Sequence, residues 1–439
     1  MSKRIGLTLV FFAFLYVLSA QQKWNYPEVD KQSYELFQQK KWNELIAFNA
    51  EAREKGIDYF NLQARTGIAY YNLKKYRKAS TWFLKAWKND KEQEWLQEYV
   101  YYSLVYSGRS IEASKLAAHF TTQLQEKIYY QKMKPLRVAF EAGYSFNPDF
   151  DKLLNSELDV EAGVGSDYGE AFFLKNYKFG ALDCSHQIAP GVNLNHNFTY
   201  IDVNRTEQLF WGNRNNFPID IKQNQYFLNP YFSLGKWHVS TSINAIWGKS
   251  GLILGNYDPN TFYTSSLKYS DFIFSASVWN NWGNIAPGAE INRANIYNEG
   301  FTQASVWITF YPLSNNNFYL TPRVYFKGDN ESSFTYNTLG LSGGFQLGQV
   351  HFYGSYLNGE MKNFIESGGY VIANFPGRST RKFMGSLYFP FAKHHQFVVR
   401  YLNQDVIESY QVYSNATPRH STEYKYIKHT ITAGISWNF

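Results

Sequence analysis

The sequence is short of several residue types and patterns that would define common protein classes. It has 439 residues but one cysteine, Cys184, so no internal disulfide and no cysteine-rich metal site can form. Charged residues make up only 18%, and the formal net charge of +7 is too small to indicate nucleic-acid binding by itself. After the first twenty residues, no segment is long and apolar enough for a transmembrane helix.

Motifs that carry chemistry are also missing. The nine histidines are scattered, and no HExxH sequence occurs. We therefore expect no catalytic residue, no metal ligand and no cofactor. The alternative is a barrel enzyme that acts on outer-leaflet lipid through rim residues, for which the sequence offers His196, Asp202, His420 and Ser421 without any spacing that joins them.

Aromatic residues, in contrast, are abundant. Phe, Tyr and Trp make up 19% of the chain, with 36 Tyr and 36 Phe, yet the mean hydropathy is only −0.42. This combination is unusual for a packed soluble core. It is typical of a transmembrane β-barrel, which needs apolar residues only at alternate strand positions and gathers aromatic residues at both membrane interfaces.

The first twenty residues have the pattern of an export signal. Lys3 and Arg4 precede the apolar run IGLTLVFFAFLYVL, and the small residue Ala20 follows shortly after it. The run is shorter than the ~20 residues that a membrane-spanning helix needs. We therefore expect a signal peptide over residues 1–20 that is removed after Ala20, with an uncleaved membrane anchor as the alternative.

Residues 21–134 are rich in Lys, Glu, Gln, Ala and Leu and predict helices. The stretch TGIAYYNLKKYRKASTWFLKAWKND has small and aromatic residues at the packing positions of a tetratricopeptide (TPR) helix hairpin, namely Gly67, Tyr70, Ala79, Phe83 and Ala86. Weaker matches occur one repeat before and one repeat after it. We expect three TPR-like hairpins with a protein-binding concave face; a generic helical bundle, or a spacer without a partner, is the alternative.

From residue 135 to 439 the period of the pattern changes from helical to two. In WHVSTSINAIW, the odd positions from Trp237 to Trp247 are mostly apolar and the even positions mostly polar. The two tryptophans lie roughly 33 Å apart along a strand, which a tilt of about 40° reduces to the height of the apolar membrane band. We expect them to mark the two membrane interfaces; a soluble β-sandwich is the alternative.

Short and long connections alternate along this region. QIAPGV and SLGKW predict tight turns, whereas four polar stretches predict loops at the other rim: WGNRNNFPID, KSGLILGNYDPNTFYTSS, LNGEMKNFIESGGYVIANFPGRST and NQDVIESYQVYSNATPRHSTEYK. This layout is typical of outer-membrane barrels. The predicted fold class is α+β multidomain: TPR-like hairpins, then an antiparallel barrel of about fourteen strands, within a range of about twelve to sixteen. Long loops, such as Phe364–Arg381, would be open to protease outside the cell. A further alternative is that the protein is a surface adhesin whose long loops bind ligands outside the cell.

Inward positions of the predicted strands carry mixed charges and tyrosines. Opposite charges in a barrel pair across strands and fill the bore; alternatively, they line a weakly cationic path for a neutral or anionic sugar. Tyrosines that alternate with Asn and Thr suit a carbohydrate. The predicted lumen residues are Arg137, Glu141, Arg323, Tyr325, Tyr353, Lys382 and Arg400.

The last strand, HTITAGISWNF, ends with Trp437 on its apolar face and with Phe439 as the final residue. A terminal aromatic residue of this kind resembles the C-terminal signal that the barrel-assembly machinery reads. Signal peptide, helical repeats, barrel and terminal Phe together resemble the YaiO-like outer-membrane proteins. The order of TPR and barrel is more remotely similar to outer-membrane polysaccharide exporters.

The resemblance implies a location and an architecture rather than a reaction. We expect a porin-like barrel in the outer membrane of a Gram-negative-type envelope, with the helical domain in the periplasm. The protein would serve as an envelope scaffold or pass a solute or polysaccharide. The expected partners are outer-membrane lipid, the barrel-assembly machinery, a periplasmic protein that binds the helical domain and, in an exporter-like role, a polysaccharide; nucleic acid is not expected.

Overall fold

The computed structural model describes residues 24–156, 167–211, 213–256, 261–329, 336–375, 377–415 and 417–439. The predicted signal peptide lies outside these residues. Contacts between residues divide the chain into two compact units, Met1–Ser107 and Gly108–Phe439. The first is helical, and the second contains the predicted barrel.

The described part of the first unit consists of helices that recur regularly along the sequence. They are α1 (Tyr26–Gln38), α2 (Trp42–Glu54), α3 (Phe60–Asn72), α4 (Tyr76–Asn89) and α5 (Glu94–Tyr106). Helices α1, α3 and α5 begin at residues 26, 60 and 94, so successive starts differ by 34 (60 − 26 and 94 − 60). Within the described part of the chain, no helix is long and apolar enough to span a membrane.

Small residues allow α3 and α4 to pack closely. Gly67 on α3 faces Phe83 on α4, and a Cβ atom added to Gly67 would lie 2.6 Å from the Phe83 ring. Phe83, Ala79 and Ala86 are fully buried, while Tyr70 is half-buried and lies under the ammonium group of a neighbouring lysine. The residues predicted from the repeat pattern therefore lie in or beside the contact between these two helices.

The second unit begins with two short helices, α6 (Ser110–Ala117) and α7 (Thr122–Lys127), and a further short helix, α8 (Phe150–Leu154), follows the first strand. Its strands are β1 (Lys134–Phe146), β2 (Asp167–Ala189), β3 (Val192–Trp211), β4 (Asn213–Leu234), β5 (Trp237–Asn256), β6 (Thr261–Asn280), β7 (Ile285–Ile296), β8 (Glu299–Phe310), β9 (Phe318–Asp329), β10 (Tyr336–Leu347), β11 (Val350–Met361), β12 (Phe364–Glu366), β13 (Val371–Ala373), β14 (Arg378–Ala392), β15 (His395–Ser414) and β16 (Thr417–Asn438).

Within the described residues, fourteen of these strands form one closed antiparallel barrel. Each strand pairs with its neighbour in sequence, except that β11 pairs with β14 because β12 and β13 form a separate two-stranded sheet. The first and last strands close the ring, with Phe140 opposite Ile435. The predicted fold class, a helical region followed by a barrel of about fourteen strands, is confirmed. The predicted tight turns QIAPGV and SLGKW connect β2 to β3 and β4 to β5.

The barrel wall has an apolar outer face and a polar inner face, as strand β5 illustrates. On its outer face, Trp237, Ile243 and Trp247 are 51%, 40% and 42% exposed. On its inner face, Ser242 and Asn244 are 5% and 1% exposed. Successive strand residues point to opposite faces, so the alternation in the sequence becomes an apolar exterior around a polar interior.

We call the end of the barrel where β1 begins and β16 ends the lower rim, and the opposite end the upper rim. Helix α6 is fixed to the lower rim. The Lys115 ammonium donates to the carbonyl oxygen of Ser233 at 2.9 Å, and Glu112 Oε2 lies 3.8 Å from Nε2 of His238. Arg109 donates two hydrogen bonds to Glu112. Although the sequence groups α6 with the helical region, these contacts tie it to the barrel.

The strands differ in length, and this difference corrects the prediction of long loops. β2–β6, β15 and β16 have 20 to 23 residues, whereas β7–β11 have 12. Beyond the end of β1 at Phe146, the longer strands continue as what we call the upper extension. The predicted loops WGNRNNFPID, KSGLILGNYDPNTFYTSS and NQDVIESYQVYSNATPRHSTEYK are mostly strand in this extension, so that prediction was wrong. In this extension exposed strand positions are often polar, as at Asn213, Arg214 and Asn216, and the alternation that reveals a strand disappears.

The fourth predicted loop, which contains Phe364–Arg381, is also not an exposed loop. Between β11 and β14 the chain turns into the barrel, and we call residues 362–375 the luminal segment. Phe364 and Ile365 are 2% and 0% exposed. These first apolar residues of the segment are hidden from water, whereas Tyr370 and Val371 further along are each 37% exposed. The first half of the segment is therefore not open to protease from outside, contrary to the prediction.

The contact between α3 and α4 predicts the effect of a single added methyl group. In an exposed helix, Gly→Ala gains about 1 kcal/mol of helix stability. We expect Gly67→Ala instead to destabilise the helical unit, because overpacking a buried site costs roughly 1–3 kcal/mol and the Phe83 ring is fully enclosed. The measurement is thermal loss of the 222 nm circular dichroism of the full chain. The double variant Gly67→Ala/Phe83→Leu should recover part of the loss; equal or greater loss would contradict the packing account.

The outer face of β5 predicts a position-dependent cost of charge. Ile243→Arg places a cation on the apolar outer band and should cost roughly 2–4 kcal/mol, whereas Leu254→Arg, in the upper extension, should cost about 0–1 kcal/mol. The measurement is the urea dependence of refolding into lipid, followed by heat-modifiable mobility. If both variants lose the same stability, the outer face of β5 is not in a membrane.

Candidate functional site in the barrel lumen

The luminal segment is held inside the barrel by side chains of the wall. Gln303 on β8 bonds the backbone of Ile365 twice: its Nε2 donates to the carbonyl oxygen at 2.5 Å, and its Oε1 accepts from the amide at 3.1 Å. Asn244 on β5 donates to the carbonyl oxygen of Gly369 at 2.8 Å. Buried backbone groups need partners, and these polar inner-face residues supply them.

The tip of the luminal segment requires glycine. Ser367, Gly368 and Gly369 have φ angles of 53°, 65° and 86°, in the left-handed region where side chains are disfavoured. A Cβ atom on Gly369 would lie 3.0 Å from the Ser275 hydroxyl of β6. The Ser242 hydroxyl donates to the carbonyl oxygen of Gly368. The tip is therefore pressed against the inner face of β5 and β6.

Several charged residues of the lumen form ion pairs with one another. Lys382 contacts Glu366 of the luminal segment, with side chains 9% and 15% exposed. Arg400 donates to Glu141 at 2.8 Å. A third pair joins Arg323 on β9 and Glu290 on β7 at 3.5 Å. Breaking a buried pair by removing one partner is costly because it leaves an uncompensated charge. The first pair holds the luminal segment, and the other two connect strands of the wall. The three cations of these pairs are therefore not free to line a cationic path through the lumen.

Cavities lie along the lumen, and we call the ones that follow the lower, the middle and the upper cavity. The lower cavity, about 420 Å³, has walls from β1–β4, β14 and β15, including Arg137, Glu141 and Arg400. The middle cavity, also about 420 Å³, is lined by Glu141, Arg400 and residues from β9–β11 and β14. The upper cavity, about 190 Å³, lies between the luminal segment and the upper extension.

All seven lumen residues suggested by the sequence line one or both of the two larger cavities. Arg137 lines the lower cavity, and Glu141 and Arg400 line both cavities. The other four line the middle cavity: Arg323, Tyr325, Tyr353 and Lys382. The strand period was the signal that found them. The same signal, applied to β2, would have found Asp183; Glu366 and Tyr370 were missed because the stretch that carries them was interpreted as a loop.

Above the cavities, the upper extension closes over the end of β1. Residues near the end of β15 pair with β2 there, with Gln411 opposite Glu170. Arg205 on β3 lies 3.0 Å from Glu408 on β15, with both side chains 5% exposed. Tyr424 donates a hydrogen bond to the same carboxylate at 2.9 Å. Surrounding aromatic and aliphatic side chains form an apolar cluster, so the upper end is narrowed by a packed core rather than left open.

The residues considered for a rim enzyme have separate partners. His196 contacts the Tyr226 hydroxyl at 2.7 Å, and Asp202 lies 3.2 Å from the Lys178 ammonium. His420 lies at the other end of the barrel, on β16. Among the described residues, no group of three or more His, Cys, Asp or Glu side chains has a metal-binding arrangement.

Comparisons with known proteins return weak likenesses. No protein-family model matches the chain, and no curated protein matches it. Among solved structures, the barrel is similar to the CymD monoaromatic hydrocarbon channel, at 8% identity and a TM-score of 0.42 over 70% of this chain and 89% of that one. A FadL homologue from Pseudomonas aeruginosa gives 9% identity and a TM-score of 0.42, over 74% and 94%.

The helical region is similar to a mutant form of MamA at 21% identity, over 19% of this chain and 62% of that one, with a TM-score of 0.18. Likenesses this weak say nothing about what the chain binds. The barrel architecture rests on the strand pairing of the chain itself, and the function has to be argued from the lumen.

Two carboxylic acids of the upper extension form an unusual pair. Glu170 and Glu207 lie beyond the end of β1, outside the length of strand that a membrane would cover. Burial, together with the negative charge of Glu170, raises the pKa of Glu207 from 4.5 to about 8. Among the described residues, Glu207 Oε2 has no hydrogen-bond partner. The pair therefore holds a proton at neutral pH.

This pair predicts a pH dependence of stability. Between pH 4.5 and 8, the unfolded chain ionises Glu207 while the folded chain keeps the proton, so stability falls as pH rises through this window. Glu207→Gln removes this loss of stability, because glutamine has no acidic proton to lose. The thermal midpoint of the variant should equal that of wild type near pH 4.5, and the difference in its favour should grow up to pH 8. Asp220→Asn, an exposed acid of the same extension, is the control and should show no such trend. A constant difference for Glu207→Gln across this window would contradict the shifted pKa.

Proposed function

We propose that the protein is an outer-membrane barrel through which a small polar solute passes, and that the luminal segment narrows this path. The observation that carries the proposal is the folded segment inside the barrel, with cavities below, beside and above it. A structural barrel needs no such arrangement, because polar side chains alone can fill a narrower ring.

The number of strands supports this interpretation. An eight-stranded barrel is just wide enough for side chains to fill, whereas barrels of about sixteen strands leave an aqueous channel. Fourteen strands leave more room than side chains occupy, and here a folded hairpin takes part of that room. The cavities that remain suit a small solute rather than a polymer chain, which argues against polysaccharide passage in this conformation.

The apolar outer face supports a membrane location. Trp237 and Trp247 at the two ends of the band on β5, and Trp437 on β16, are exposed on the outside. Phe439, 63% exposed, donates its amide to the carbonyl oxygen of Leu136 at the closing seam of the lower rim. The proposal therefore includes an aromatic girdle and, at Phe439, an assembly signal in the outer membrane, consistent with a cleaved signal peptide.

The helical unit is proposed to be a TPR-like, protein-binding unit in the periplasm. The spacing of its helix starts equals the TPR repeat length of about 34 residues, and Gly67 and Phe83 make the small-to-aromatic contact that the pattern requires. The two features support the resemblance to YaiO-like proteins. An even number of strands places both ends of the barrel at the lower rim, which the proposal assigns to the periplasmic side.

The test is the ion conductance of the purified protein in a planar lipid bilayer. One variant replaces the luminal segment, residues 362–375, by a short Gly-Ser linker. The matched control replaces residues 252–265, where β5 ends and β6 begins, and removes the same number of residues (375 − 362 + 1 and 265 − 252 + 1, both 14). We expect small conductance in wild type and control, and a several-fold larger conductance without the luminal segment. If removal of the segment leaves the conductance unchanged, the lumen is not a path and the proposal fails.

A further inference from the structure

The residues that line the lower cavity are mostly polar, and their formal charges cancel. Two guanidinium groups, Arg137 and Arg400, and two carboxylates, Glu141 and Asp183, lie in its wall. The remaining lining is largely hydroxyl, amide and aromatic. The charges balance two against two, and Arg400 and Glu141 already form an ion pair, so an ion of either sign would gain little from the cavity as a whole.

A row of connected polar side chains crosses the wall of this cavity. The Ser185 hydroxyl donates to Asn195 Oδ1 at 2.7 Å, Asn195 Nδ2 donates to Asn229 Oδ1 at 3.0 Å, and Asn229 Nδ2 donates to the Ser240 hydroxyl at 2.6 Å. These bonds fix the orientation of each group. Amides and hydroxyls offer both donors and acceptors, so this row suits a ligand whose own groups both donate and accept, as alcohols do.

Aromatic rings complete the lower cavity on the side of the luminal segment. The ring of Tyr370 lies 5.3 Å from that of Phe227, centroid to centroid, at an angle of 80°. Tyr388 also lines the cavity. Few, fixed polar groups among ring faces are typical of sites for small organic ligands, and about 420 Å³ lies within the usual range of their volumes.

Tyr370 stands between the lower and the middle cavity. It lines both of them. Its hydroxyl reaches across the lumen from the luminal segment, donates to Asp183 Oδ1 on β2 at 3.0 Å and accepts from Asn197 Nδ2 on β3 at 3.4 Å. The side chain thus bridges the segment and the wall at the level where the two cavities meet.

We infer that the lower cavity is a binding site for a neutral, hydroxyl-rich solute about the size of a small sugar, and that Tyr370 is the side chain that closes it towards the middle cavity. This inference rests on the proposed function, since it names the solute class and the gate of the same path. The polar row would bond the hydroxyl groups, and the rings of Tyr370, Phe227 and Tyr388 would cover the apolar face of the solute.

The gate is tested by the swelling of liposomes that contain the full chain, in isosmotic glucose and in isosmotic sodium gluconate. Tyr370→Ala should speed glucose entry several-fold, and Tyr370→Phe, which keeps the ring but loses the bond to Asp183, should have an intermediate effect. Tyr356→Ala removes a tyrosine from the outer face, where Tyr356 is 44% exposed, and should match wild type. Gluconate should enter more slowly than glucose in wild type.

Glucose binding to the purified protein in detergent, measured by calorimetry, tests the site independently of passage. Asn229→Leu breaks the polar row, because it removes the acceptor for Asn195 and the bond to Ser240, and should weaken binding at least tenfold. Asn215→Leu, at the upper rim, should not weaken it. If wild type swells but Tyr370→Ala changes nothing, or gluconate enters as fast as glucose, or no glucose binds, this inference is overturned while the proposed passage stands. Glucose binding without any liposome swelling would support the proposed binding site and overturn the proposed passage of solute.

Discussion

Closure of the sheet is the constraint on which the rest of the structure depends. A strand in lipid has no water to satisfy its backbone groups, so every edge must pair and the sheet must form a ring. Pairing of β1 with β16 supplies that closure. A ring of fourteen strands is wider than its side chains fill, and the space inside has to be occupied, either by water or by part of the chain.

Residues 362–375 of the chain occupy part of the space inside the ring. Their position explains why the inner faces of β5 and β8 carry amide and hydroxyl residues: Asn244, Ser242 and Gln303 satisfy backbone groups of the luminal segment. The ion pair between Lys382 and Glu366 ties the segment to the wall near its return to the sheet. The segment leaves cavities rather than a solid plug, and the proposed passage and solute site both follow from that partial filling.

Much of this could be predicted from the sequence, because strands of this barrel, such as β5, have one apolar outer face and one polar inner face. That period located β5, the inward Glu141 and Arg400, and the approximate number of strands. It fails in the upper extension, where exposed strand positions are often polar, so its strands were interpreted as loops. It also fails for Phe364 and Ile365, because nothing local in the sequence distinguishes an apolar stretch that folds inward from one that projects outward. The gate residue Tyr370 was missed for the same reason.

The central claim is that residues 362–375 fold inside the barrel. Hydrogen–deuterium exchange of the full chain in detergent, followed on peptides that cover this stretch, tests it most directly. The Ile365 amide is bonded to Gln303 and the segment pairs internally through β12 and β13, so its exchange should be as slow as that of the neighbouring barrel strands. Complete exchange at the earliest time point, as in a solvent-exposed loop, would contradict the account.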